Sequence, residues 1–191
     1  MKKFKMNSLI ILFNTMLVVV FLTTACAQSG NKTTAKSGVD TPKMDIQTAI
    51  VSGKLDVVKQ HIEAGTDINE KDPLTGATPL ISAATFNKIG AAEALINAGA
   101  DLTVKNNDGS TALHVAAFFG RVEIVQLLID AKADKTVRNN FGATARESVM
   151  GPFNEIKPIY EMLQQQLAPF GLKLDMNELE KTRPVIAMML Q

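Results

Sequence analysis

The chain has 191 residues, with 20 Lys and Arg against 19 Asp and Glu, two His and a single Cys. That length supports one ordinary domain, and a formal charge of +1 gives no broad attraction to nucleic-acid phosphate. One Cys excludes an internal disulfide framework, and His61 and His114 beside it cannot complete a nitrogen and sulfur zinc shell of the usual kinds, so the composition favours a module that binds over one that catalyses, with no cofactor implied.

Residues 1–27 read as an export signal. Lys2, Lys3 and Lys5 open it, Leu9 to Leu22 are almost entirely apolar, and Thr23-Thr24-Ala25-Cys26-Ala27 closes it with small side chains. The apolar run is shorter than the roughly 20 residues a membrane span needs. Two cleavage points fit. Ala25 and Ala27 suit cutting before Gln28, which discards the only thiol. Leu22-Thr23-Thr24-Ala25-Cys26 instead resembles the lipobox of bacterial lipoproteins, which implies cutting before Cys26 and lipidation there, although Leu22 stands one position further from the Cys than in that motif. Either way the mature protein is expected outside the cytoplasm, periplasmic or lipid-anchored in the cell envelope, where a lack of other thiols is ordinary. Loss of the three Lys leaves 17 basic against 19 acidic side chains. Residues 28–42 are Ser, Gly, Thr, Lys and Asn with little to bury, and read as a flexible tether.

A repeated pattern follows. Thr78-Pro79-Leu80-Ile81-Ser82-Ala83-Ala84 returns 33 residues later as Thr111-Ala112-Leu113-His114-Val115-Ala116-Ala117, and Ala98-Gly99-Ala100-Asp101 returns at the same offset as Ala131-Lys132-Ala133-Asp134. Ala64-Gly65-Thr66-Asp67 stands 34 before, the extra residue falling in the loop Asp72-Pro73-Leu74-Thr75-Gly76. A fixed period of this length signals stacked units. Thr78 and Thr111 suit helix N-caps, and Pro79 suits the first helical position. The paired alanines allow close helix approach, and Val122, Ile124, Val125, Leu128 and Ile129 form an apolar stripe that a neighbouring unit must cover. Gly65 and Gly99 suit left-handed caps, so Lys132 in the same place predicts strain.

These motifs resemble ankyrin repeats over residues 43–167. The resemblance implies an all-α solenoid of about four helix-turn-helix units with hairpin loops, closed by a C-terminal helical cap at residues 168–191. The first unit lacks the Thr-Pro signal at Met44-Asp45-Ile46-Gln47, and His61 replaces Leu95 and Leu128, which predicts a partly exposed end residue. The resemblance implies that His114 bonds to backbone in the adjoining turn. In the fourth unit Val149 and Met150 replace paired Ala, Gly151 and Pro152 break the helix early, and Ile156, Ile159, Tyr160, Leu163 and Leu167 are spaced for its second helix. Asp175 with Glu178 resembles a capping box opening a short helix that Pro184 is expected to interrupt. The apolar end from Val185 to Leu190 is expected to pack over the open end of the solenoid, and a docking peptide is its alternative use.

The resemblance also implies a concave contact face, lined by two residues before the turn of each inner helix. Here these are Val51 and Ser52, Thr85 and Phe86, and Phe118 and Phe119, so Phe86, Phe118 and Phe119 predict an exposed apolar patch for a partner protein. Loop tips add a polar rim of Lys71, Asp72, Pro73 and Leu74, then Lys105, Asn107, Asp108 and Ser110, then Arg138, Asn140 and Phe141. The expected function is a protein-binding module of the cell envelope, with an inhibitor or immunity protein against an exported enzyme or toxin as the alternative. No phosphate loop, nucleophile elbow or metal cluster is present. Asp72 and Asp108 form the one carboxylate pair a hydrolase could use, and both suit loop formation better.

Overall fold

The computed structural model describes residues 40–191; the expected export signal, Cys26 and residues 28–39 of the expected tether lie outside the described residues. Three helical hairpins follow one another. The inner helices α1 (Ile46–Val51), α3 (Pro79–Thr85) and α5 (Ala112–Phe118) alternate with the outer helices α2 (Leu55–Glu63), α4 (Ile89–Asn97) and α6 (Val122–Asp130). Inner helices stack on inner and outer on outer, since each hairpin is apolar toward its neighbours and cannot cover itself. Ala83, Ala84, Ala116 and Ala117 are fully buried at the closest approaches, and Ile124, Val125 and Leu128 are fully buried along α6.

The helix starts follow from local chemistry. Thr78 Oγ1 accepts from the Ile81 N–H at 3.3 Å, and Pro79 fills the first helical position where no donor is needed. Asp45 does the same work for α1 without a Thr-Pro signal, accepting from the Thr48 N–H at 2.8 Å. At α5 the cap is reciprocal: His114 Nδ1 accepts from the Thr111 N–H at 3.3 Å, and Nε2 then donates to Ala143 O in the next turn at 3.2 Å. The backbone contact implied for His114 is therefore present. Burial, first of all, pushes its pKa down. A lowered folded pKa means that its contribution to stability is complete above the unfolded value of about 6.5 and is lost as pH falls. We expect unfolding free energy to decline between about pH 7 and 5, with a shallower decline in His114→Asn, as read by urea titrations across that range.

His61 departs from expectation. It is buried, with Nε2 2.7 Å from Met44 O and Nδ1 2.9 Å from Thr66 Oγ1. Both ring nitrogens have partners at the two ends of the first hairpin, so a polar ring is tolerated where later units carry Leu. Lys132 has φ 65°, in the left-handed region held by Gly65 and Gly99 in the earlier units, so the anticipated strain is real.

The fourth unit is built differently from its sequence reading. Thr144 and Glu147 exchange cap bonds, Glu147 N–H to Thr144 Oγ1 at 3.2 Å and Thr144 N–H to Glu147 Oε2 at 2.9 Å, yet only one 3-10 turn, Glu147–Val149, follows before Gly151 and Pro152. Helix α7 (Phe153–Leu167) was expected as the outer helix of this unit. Instead α8 (Met176–Met189) packs on α6 and on the 3-10 turn. It runs in the direction of α6: Leu179 and Thr182 lie against Gly120 at the start of α6, while Lys135 Nζ donates to Met189 O and Gln191 O at 3.2 and 3.0 Å beyond its end. A Cβ on Gly120 would stand 2.8 Å from Leu179 Cδ2, so the missing side chain admits α8.

α8 also runs through Pro184 without interruption, contrary to the expected break. Leu179, Ile186 and Leu190 are buried on either side of the proline, and this packing outweighs one lost helical bond. Residues 168–191 thus complete the fourth unit, and α7 is an insertion within it. Tyr160 anchors that insertion: its hydroxyl donates to Phe118 O at 2.6 Å and accepts from Arg183 Nη1 at 2.9 Å, and Arg183 Nη2 donates to Gly151 O at 3.0 Å.

Candidate protein-binding face

The three expected phenyl rings do not form one exposed row. Phe86, the C-cap of α3, is half-buried and remains presentable. Phe118 is half-buried beneath the inserted helix, its ring 4.7 Å from that of Tyr160. Phe119 is only 8% exposed. Its ring meets Phe118 edge-on at 5.1 Å and lies with Leu174 and Leu179 along an open recess; at this low exposure the sequence expectation of an exposed ring at Phe119 is overturned. The cause is α8, whose approach over Gly120 covers what the second unit leaves open. Arg121 adds a cation over the same ring at 5.9 Å, and burial lowers its pKa to about 10.

Thr85 is half-buried, with its hydroxyl turned back to Ile81 O at 3.0 Å. Val51 is half-buried and Ser52 exposed in the first unit. The open inner surface is therefore that of the first two units, and it ends at Phe118.

The loop tips are clasped to one another. Asn107 Nδ2 donates to Leu74 O at 2.8 Å, and Asn140 Nδ2 donates to Asn107 O at 3.0 Å. Their backbone N–H groups bond to Thr75 O and Asp108 O in the same tips. A glycine at each preceding tip makes room: a Cβ on Gly76 would meet Asn107 N at 2.9 Å, and one on Gly109 would meet Asn140 N at 2.8 Å, both at positive φ. Lys105 Nζ reaches Arg138 O at 3.0 Å, and Arg138 pairs with Glu147 at 2.6 Å. The expected rim is thus held rigid by the side chains assigned to it. Ser110 is buried and accepts from Asn139 Nδ2 at 3.4 Å, which removes it from contact. Phe141 is half-buried, its N–H on Asn139 Oδ1 at 3.1 Å. Lys71 is exposed and Leu74 is 59% exposed, the most open apolar side chain of the tips.

The clasp went unread in the sequence although its signal was there, as Asn107 and Asn140 stand 33 apart. Asp72 is a loop former: Oδ1 accepts from Leu74 N, Thr75 N and Thr75 Oγ1 at 3.2, 2.8 and 2.7 Å. Asp108 is half-buried, and burial pushes its carboxyl pKa up. Among the described residues no group of three or more His, Cys, Asp or Glu could hold a metal ion, and no helix is long and apolar enough to cross a membrane.

Known proteins place this geometry. A family model described as ankyrin repeats, three copies, matches residues 46–139, the span of the three hairpins and their loops. Among solved structures, the ankyrin repeat domain of Bcl-3, described as a unique member of the IkappaB protein family, is similar at 28% identity and a TM-score of 0.52; the match covers 54% of this chain and 45% of that one. No curated protein matches the sequence. Ankyrin repeats are in general protein-interaction modules and typically lack enzymatic activity. With three matched copies lying on three stacked hairpins, this chain is an ankyrin repeat protein.

Proposed function

We propose that this protein is exported and serves in the bacterial cell envelope as a protein-binding module, holding its partner between the inner surface of the first two units and the loop tips. The observation that carries this reading is the coexistence of a fixed rim and open apolar groups. Side chains of Asn107, Asn140 and Lys105 lock successive tips together, while Leu74 at a tip and Phe86 at the far end of α3 are left available. A preorganised rim loses little entropy on binding, so a few apolar anchors suffice. Export rests on the basic, apolar and small-residue order of residues 1–27, and anchoring on Cys26 in its lipobox-like setting.

A photoreactive phenylalanine analogue tests the face directly. Installed at Phe86, it is expected to crosslink one recurrent partner in the native host, and the same probe at Gln126 on the outer side of α6 is expected to capture none of it. The double substitution Leu74→Ser and Phe86→Ser should reduce partner recovery about tenfold or more with the thermal transition nearly unchanged. Equal capture from both probe positions would refute the face. Intact mass of the mature protein reads the fate of Cys26.

A further inference from the structure

The turns joining inner to outer helices carry a repeated basic residue that the proposed partner face does not use. Gly53-Lys54, Asn87-Lys88 and Gly120-Arg121 each pair a left-handed residue, at φ 71°, 54° and 70°, with a cation opening the outer helix. In the third unit Arg121 reaches back to the preceding turn and donates to Thr85 O at 3.2 Å. Lys88 reaches back likewise, its Nζ 3.4 Å from where a Cβ on Gly53 would stand. Unlike Arg121, Lys88 shows no acceptor for its ammonium among the described residues.

Between Lys54 and Lys88 lies an open notch of about 220 Å3. Its apolar lining includes Ile50, Leu55, Val58 and Ile89, and Lys54 and Lys88 are the charged residues lining it. The volume suits one large apolar side chain, since a cavity of roughly 150 Å3 holds a benzene.

Gly90 distinguishes this notch from its neighbours. Two positions after the turn cation, the first unit has Asp56 and the third has Glu123, whereas the second has Gly90. A glycine inside a helix is destabilising relative to Ala. Here it admits Leu55, whose Cδ2 would lie 3.1 Å from a Cβ at that site. It also brings no carboxylate, where the other two units carry Asp56 and Glu123. The result is an apolar recess with two cations and no acidic side chain in its lining.

We propose that this notch binds the free C-terminus of a partner polypeptide ending in Leu, Ile or Phe. The last side chain enters the recess, and the α-carboxylate pairs with Lys54 and Lys88, the charged residues of its lining. Such a terminus carries its charge one carbon from its side chain, which suits an apolar recess with two lysines in its lining. This surface lies at the inner-to-outer turns, away from the loop tips; its second turn directly follows Phe86, and binding here does not depend on the tips.

The test uses the full chain and a fluorescein-labelled hexapeptide ending in Leu, read by fluorescence anisotropy. The peptide with a free carboxylate is expected to bind, and its C-terminal amide about tenfold or more weakly. Lys88→Gln should weaken the acid peptide comparably while leaving the amide unaffected. Gly90→Glu, which restores the carboxylate of the other units, should abolish binding, with circular dichroism showing the helical fold retained. Equal affinity for acid and amide, or undiminished binding by folded Lys88→Gln, overturns the proposal. Octanoate competing as strongly as the peptide would overturn the polypeptide source and make the occupant a fatty carboxylate. The photoreactive analogue moved to Leu74, at a loop tip away from this turn, reports on the other reading in either case, so failure of one is separable from failure of the other.

Discussion

Ending the chain after Thr182 is expected to remove cooperative folding or to lower the thermal midpoint by at least about 15 °C. The lost segment contains Arg183, Ile186 and Leu190, each buried. Ile186 and Leu190 alone represent about 1.5–3 kcal/mol each in apolar burial, and their removal strips cover from α6 and the 3-10 turn, on which α8 packs. Arg146 Nε, which donates to Ala187 O at 3.1 Å, and Lys135 also lose their acceptors. A loss of this size is a large share of the 5–15 kcal/mol typical of a whole domain. Differential scanning calorimetry of the truncated chain checks it. An unchanged transition would mean that the apolar end does not hold the fold together and would return it to the role of a docking peptide.

Tyr160→Phe should lower stability by about 2–3 kcal/mol, although it deletes a single oxygen. That hydroxyl donates to Phe118 O and accepts from Arg183 Nη1. Without it a guanidinium on a residue only 3% exposed keeps Gly151 O as its acceptor and loses the other. A buried donor left unmade costs more than the bond itself contributed. Arg183→Met should therefore cost less than Tyr160→Phe, because it removes the charge along with the unmade donor, and the double variant should resemble Arg183→Met. Urea titrations of the three variants measure this order, and its reversal would refute the assignment. An alkaline signature accompanies it. Burial, the largest cause, raises the Tyr160 pKa, so its contribution is complete below the unfolded value of about 10 and lost as pH rises further. The phenylalanine variant should lose that part of the alkaline slope.

Burial of Phe119 confines the proposed face to the first two units. Phe86 and Phe119 occupy the same place in successive units, and by sequence alone they are equivalent. One is half open and the other covered because a segment more than 50 residues downstream arrives over Gly120. The glycine signals a turn in either case. That it also serves as the landing place for Leu179 is a property of the partner surface and leaves no mark in the local pattern.

What the sequence determined by itself is whatever recurs or acts locally. The period of 33, the Thr caps, the paired alanines and the strained Lys132 are decided within a few residues or by comparison of one unit with the next, and stacking follows because each unit repeats the same unfilled apolar side. Tertiary structure decided the ending. Two apolar helices, α7 and α8, follow the fourth inner turn, and spacing alone cannot rank them, since periodicity says that a face must be buried and not against what. α8 won the outer position despite Pro184 because it meets Gly120, Tyr160, Lys135 and Arg146 together. Those four contacts join positions far apart in the chain, and only the assembled solenoid brings them within reach.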